Sequence, residues 1–198
     1  MISNFKTFLI DKMGVTPKEL QEIEPFIVLK RFEKGEVLLA GGQVCNSSFF
    51  VEKGLLRFYS VTEKGKEHIL QFASENWLVS DRGSVYFQEP SKYYIDAIEP
   101  SEVVIIDDSF LTALNANSVH YQGKNEILLH NHIRQLNKRI NMLLGATAEV
   151  RYLDFIQSYP DVTLRVPKWM IASYLGVTPE SLSRVRKEVA LKNSALKH

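Results

Sequence analysis

The chain has 198 residues, 45% hydrophobic and 24% charged, with 24 Lys and Arg against 23 Asp and Glu. That composition suits an ordinary globular protein of one or two domains and contains no long apolar span for a bilayer. The formal charge of +1 hides an asymmetry, because residues 165–198 carry seven Lys or Arg against two Glu and the remainder sums to −4. A basic C-terminal end on a mildly acidic body points to a polyanionic partner for that end.

The single cysteine, Cys45, excludes an internal disulfide and is too few for a zinc ribbon or an iron-sulfur cluster. The opening residues MISNFKTFLIDKMG interrupt their apolar run with charges and offer no small-residue cleavage site. A cytoplasmic, unanchored protein is expected.

Thr16-Pro17-Lys18-Glu19-Leu20 predicts a short helix: a capping threonine, proline at the first position and acid in the first turn. From Phe32 to Ile106 short β-branched and aromatic runs alternate with glycines 35, 41, 42, 54, 65 and 83, the pattern of many short strands. Val51 to Leu55 and Thr62 to Lys66 each put glycine where a hairpin needs positive φ. Phe58 to Val61 and His68 to Phe72 flank the second turn as paired strands. A double-sheet jelly roll or a barrel is the expected architecture. Asp107-Asp108-Ser109 then caps a helix carrying Phe110, Leu111 and Leu114.

Around Lys124 the period becomes helical. Leu129, Ile133, Leu136, Ile140 and Leu143 recur at intervals of four and three, a heptad seam. Such a helix either packs on its own domain or pairs with a second copy, and the polar His132, Arg134, Asn137, Lys138, Arg139 and Asn141 favour pairing. Gly145 interrupts the run, and a helix with Val150, Leu153 and Ile156 on its apolar face follows, ending at Tyr159-Pro160. The predicted divisions are 1–121 for the roll and its flanking helices, 122–145 for the dimerisation helix and 146–198 for the last domain.

In the last domain Pro167 opens a helix that buries Ile171 and Leu175, and Ala172 is small where a second helix must cross. Gly176 supplies a sharp turn anchored by Val177. Thr178 caps the next helix, Pro179 starts it, and Leu182 and Val185 line its inner face. This is helix-turn-helix spacing, and a plain helical hairpin with a solvated basic face is the weaker reading.

A jelly roll, a dimer-type helix and then Arg165 to Val189 resemble the Crp/Fnr (cyclic AMP receptor protein) family of bacterial transcription regulators. Glu33-Lys34-Gly35-Glu36, Gly41-Gly42 and Phe50 to Arg57 are similar to the opening strands of its cyclic-nucleotide-binding-type domain. The resemblance implies an α+β fold: an N-terminal β jelly roll, a long dimerisation helix and a C-terminal winged helix-turn-helix. It implies a homodimer on a pseudo-palindromic site in double-stranded DNA, with RNA polymerase as a further partner, no membrane and no cofactor. By matching position Glu180 and Arg184 read bases, with Pro179, Ser181 and Ser183 beside them. Arginine can bridge guanine O6 and N7, and glutamate accepts from the cytosine amino group. Lys168, Thr178 and either Arg186 or Lys187 then contact phosphate.

Family members that bind cyclic AMP carry a glycine-glutamate pair for the ribose and an arginine followed by serine or threonine for the phosphate. Here Leu78 to Ser84 and Pro90 to Tyr93 occupy that stretch, with Ser80 about where the glutamate belongs and Ser91 or Lys92 about where the arginine belongs. Control by cyclic AMP is therefore not expected. The residues left for another effector, or for none, are Ser80, Asp81, Arg82, Ser84, Ser91 and Lys92, with Asn131 and Gln135 on the long helix. The competing class is a cupin-like, metal-dependent enzyme or small-molecule-binding protein, suggested by His130-Asn131-His132. On a helix, however, those imidazoles point about 200° apart, so no metal site and no catalytic residue is assigned.

Overall fold

The computed structural model describes residues 2–118 and 120–195, with side chains through residue 192. Lys197, one of the seven C-terminal basic residues, lies outside the described residues. The chain opens with helices α1 (Asn4–Asp11) and α2 (Pro17–Ile23). The N-terminus of α2 carries the expected cap in full: Thr16 Oγ1 accepts from the Glu19 N–H and the Glu19 carboxylate accepts from the Thr16 N–H. Helix α1 takes its cap from far away. The buried Glu52 carboxylate accepts the N–H groups of Ser3, Asn4 and Phe5 at 2.7, 2.8 and 2.9 Å.

The strands are β1 (Val28–Phe32), β2 (Val37–Leu39), β3 (Ser48–Lys53), β4 (Leu56–Val61), β5 (Glu67–Ala73), β6 (Leu78–Val79), β7 (Tyr93–Ala97) and β8 (Ser101–Ile106). They form two antiparallel sheets of order β1-β8-β3-β6 and β2-β7-β4-β5. Phe49, Val51, Val79 and Val103 of the first sheet meet Leu39, Leu56, Ile95 and Ala97 of the second across the roll interior. The period-two alternation then sends Phe50, Val104 and Ile106 outward, under α1 and under α4 (Asp108–Asn117). Asp107 caps α4 as its sequence predicts.

The turn at Gly65 joins paired strands, with Phe58 opposite Gln71 and Ser60 opposite His68. Gly54 does something else. It has the expected positive φ of 102°, but β3 and β4 lie in opposite sheets, so the turn is a corner that crosses between sheets rather than a hairpin. A Cβ at Gly54 would stand 2.7 Å from the Ser101 Cα, which is why the corner needs glycine.

Helix α3 (Arg82–Phe87) interrupts the roll between β6 and β7, and α5 (Tyr121–Gly145) follows α4 as one continuous helix. Beyond it come α6 (Ala148–Ser158), α7 (Val162–Arg165), α8 (Lys168–Leu175) and α9 (Pro179–Ala195). Two further details differ from the sequence reading. Helix α6 turns Phe155 inward, with Tyr159 just beyond it, and leaves Val150 and Leu153 exposed, because aromatic rings pack with Phe72 and Tyr174 on the outer face of the second sheet. The described residues also contain no strand for the expected wing. Among the described residues no strand follows Ile106, and the segment between α6 and α8 coils into α7, where Val166 N–H bonds Val162 C=O at 3.1 Å.

Candidate nucleic-acid interface and effector sites

The turn between α8 and α9 is built from local signals. Gly176 caps α8 at φ 65°, a left-handed position, and Val177 N–H reaches back to Ala172 C=O at 3.0 Å. Thr178 Oγ1 then accepts from Ser181 N–H at 3.2 Å, starting α9. Ile171, Ala172, Leu175, Leu182 and Val185 are all buried, and Val177 is half-buried. Every apolar position of the predicted pattern but Val177 is fully inside.

The opposite surface of α9 exposes Pro179, Glu180, Ser183, Arg184 and Lys187, with Ser181 and Arg186 half-buried at its margin. Thr178 and Lys168, the latter at the first position of α8, are exposed as well. Hydrogen bonds from its own N–H and from Thr178 hold the Glu180 carboxyl below its ordinary pKa, so it is an ionised acceptor at neutral pH.

The rest of this helical unit is pinned to the roll by contacts that the sequence did not announce. Ser173 Oγ donates to Glu67 C=O at 3.1 Å and accepts from Ile69 N–H at 3.0 Å, along the edge strand β5. Arg165 bonds Glu75 at 2.9 Å and Glu99 at 2.6 Å. Those partners raise its pKa, hydrogen bonding to Glu99 most of all. Burial alone would raise the Glu75 pKa, but the hydrogen bonds from Arg165 and Gly54 N–H outweigh it and leave it lowered. Arg139 of α5 lies 3.6 Å from the centre of the Tyr174 ring and donates to Tyr174 C=O. Long-range charge pairing at single arginines leaves no periodic trace in a sequence.

Along α5 the seam residues are exposed in the single chain, from Leu129 at 37% to Ile140 at 55%. Leu136 and Leu143 lean towards a small cavity beside Arg139 and Arg151, while Ile133 and Ile140 do not. Leu144, one turn beyond Ile140, is 83% exposed and extends the unpartnered stripe; the sequence reading passed over it. The i, i+4 step from Ile140 was the available signal. His130 and His132 both lie on α5 as expected, His130 facing Glu126 one turn earlier at 3.8 Å. Among the described residues no three His, Cys, Asp or Glu cluster in a metal-binding group.

The eight residues named for an effector do not converge. Asp81, Ser84 and Ser91 are buried together: the Asp81 carboxylate accepts Ser84 N–H at 3.2 Å and the Ser91 hydroxyl at 2.7 Å. Ser84 Oγ in turn accepts Cys45 N–H at 2.8 Å and donates to Glu89 C=O. Ser80 and Arg82 face away from this knot into an apolar cavity on the outer side of the first sheet. Gln135 lines the small cavity beside Arg139, and Lys92 and Asn131 are exposed and line neither cavity. The split follows from chain direction, since adjacent residues leaving β6 point to opposite sides of the sheet.

Residues 29–117 match the cyclic nucleotide-binding domain. Over 180 residues the chain is 27% identical to the anaerobic regulatory protein of Pasteurella multocida, covering 85% of this chain and 65% of that one. It is 26% identical to the fumarate and nitrate reduction regulatory protein of Vibrio cholerae, covering 84% and 71%. The structure of FixK2 from Bradyrhizobium japonicum superposes with a TM-score of 0.73 at 18% identity, over 84% of this chain and 86% of that one. In sequence and in fold the chain is similar to Crp/Fnr proteins. Its roll, long helix and terminal helices share the fold of the FixK2 structure, and it spans about two thirds of the length of the curated relatives named above. Among the described residues no helix is long and apolar enough to cross a membrane.

Proposed function

We propose that this Crp/Fnr regulator acts as a homodimeric, sequence-specific DNA-binding protein in the cytoplasm, with residues 1–121 as sensor or scaffold, 122–145 as the dimerisation helix and 146–198 as the reader. The observation that carries this is the packed α8-turn-α9 unit with an exposed polar outer face. Among the described residues the side chains of Arg184 and Lys187 have neither hydrogen bond nor ion pair, so both are available to a polyanion. Glu180 and Arg184 read base edges, flanked by Pro179, Ser181 and Ser183. Lys168, Thr178 and Arg186 or Lys187 hold phosphates and set the register.

A two-fold dimer through Ile133, Ile140 and Leu144, with Leu129, Leu136 and Leu143 beside them, presents two α9 helices to half-sites roughly 34 Å apart, hence an inverted repeat. An activator of this kind also needs a surface for RNA polymerase. Cyclic AMP is not its signal. Where the family resemblance sets the phosphate, this chain has the Asp81 carboxylate accepting from Ser91, and a second anion there meets repulsion instead of a guanidinium.

Genome-wide footprinting with the full chain tests the reading. Enrichment of an inverted repeat is expected, and binding no better than background everywhere would overturn it. Titration calorimetry with cyclic AMP is expected to give no saturable heat.

A further inference from the structure

A large space that the DNA-binding reading leaves unexplained lies outside the roll. Between the outer face of the first sheet and α1, α3, α4 and α5 there is a cavity of about 620 Å³. Protein interiors are otherwise packed with few voids larger than a water molecule, and this volume falls in the range of small-molecule pockets, roughly 300–1,000 Å³. Its walls are apolar: Phe8, Phe110, Leu111, Leu114 and Leu128 among them. Water has few partners on such a surface.

Arg82 is the single charged residue among those that line the cavity. It is exposed in the first turn of α3 and, among the described residues, its guanidinium makes no hydrogen bond and no ion pair. Burial, and after it the charge of Arg82, holds the His132 pKa down, so the guanidinium is within electrostatic reach of α5. Tyr86 and Phe87, 82% and 68% exposed, follow on the same helix and also line the cavity.

We propose that this cavity binds an apolar monocarboxylate, its tail among Phe8, Phe110, Leu114 and Leu128 and its carboxylate on the Arg82 fork. A guanidinium matches a carboxylate with two parallel hydrogen bonds. The lack of a second cation in the lining disfavours a phosphate dianion, and the extent of apolar wall disfavours a nucleotide. The site is separate from the Asp81 knot, which faces the roll interior. It is also independent of the DNA-binding reading, because occupancy is measured without DNA.

The probes are dodecanoate and dodecanol, titrated calorimetrically below their aggregation concentrations into the full chain and into Arg82→Gln and Leu111→Trp. Dodecanoate is expected to saturate at one per chain and to bind at least tenfold tighter than dodecanol. Arg82→Gln is expected to weaken dodecanoate tenfold or more without moving dodecanol, and Leu111→Trp to remove both. Should Leu111→Trp fail to fold, the exposed Arg82→Gln still decides. No saturable dodecanoate binding, as when a second copy of the chain fills the cavity, overturns the proposal. Equal affinity for acid and alcohol, or indifference to Arg82→Gln, overturns it too.

Discussion

Inside the roll, polar groups are matched to one another; at Arg82 of α3 and at Arg184 and Lys187 of α9 the charged heads are left over. Asp81 and Arg82 are neighbours in sequence, yet the carboxylate is buried and bonded to Ser84 and Ser91 while the guanidinium is exposed and, among the described residues, has no hydrogen bond or ion pair. The same contrast separates the packed Leu182 and Val185 of α9 from its exposed Arg184 and Lys187. A satisfied buried group reports on folding and an unsatisfied exposed one on a partner, so substitutions in the two sets should fail in different assays.

The largest effect is expected on α5. Ile140→Glu puts a charge into the proposed seam, so sedimentation should shift to monomer and affinity for an inverted repeat should fall about 100-fold or more as the second half-site contact is lost. A variant that stays dimeric would place the interface elsewhere. Next comes the knot inside the roll. Asp81→Ala strands the Ser84 N–H, leaves the Ser91 hydroxyl only its contacts with Tyr93, and should cost about 2 kcal/mol in urea unfolding, whereas Arg82→Ala should stay within about 0.5 kcal/mol. Equal losses would dissolve the distinction between the two neighbours.

Arg184→Ala should cost about 1–3 kcal/mol at one base position and relax specificity there, while Lys168→Ala should weaken all sequences alike and reduce the salt slope by about one. Binding to a panel of point-substituted sites at several salt concentrations separates the two. The smallest effect belongs to the clamp between the roll and the C-terminal helices. The folded-state pKa of Glu75 is depressed below 4.5, so its contribution is complete above that pH and is lost as pH falls through the folded value. Because the pair is partly solvated, that contribution is only about 0.5 kcal/mol. Arg165→Gln should flatten this acid limb in melting curves taken between pH 3 and pH 6, leaving the rest of the profile unchanged.

What could be read from the sequence was whatever the chain encodes within a few residues. The caps at Thr16, Asp107 and Thr178 and the left-handed turn at Gly176 are local, and each stands where the residues around it predict. The turn at Gly54 was legible as a turn but not as a change of sheet, because a hairpin and a sheet-crossing corner ask the same φ of glycine. The inward face of α6 was misread because Val150 and Leu153 look as apolar as Phe155, and only the rings of Phe72 and Tyr174 across the interface decide which side is buried. Glu52 capping α1, Ser91 bonding Asp81 and Arg165 clamping Glu75 join residues far apart in the chain. No periodicity forecasts them, and the outer cavity is likewise a property of how helices meet the sheet.

The Ser173 hydroxyl has a further meaning. Strand β5 is the last strand of its sheet, and an open sheet edge is a template on which another chain can pair. Ser173 closes that edge at Glu67 and Ile69, and Arg139 takes the Ile69 carbonyl at 3.3 Å. Lifting α8 off the roll would therefore expose a strand with unpaired backbone groups, inviting aggregation at the moment the reader is released. Motion that keeps α8 on β5, such as one whole subunit of the proposed dimer turning against the other about α5, carries no such hazard.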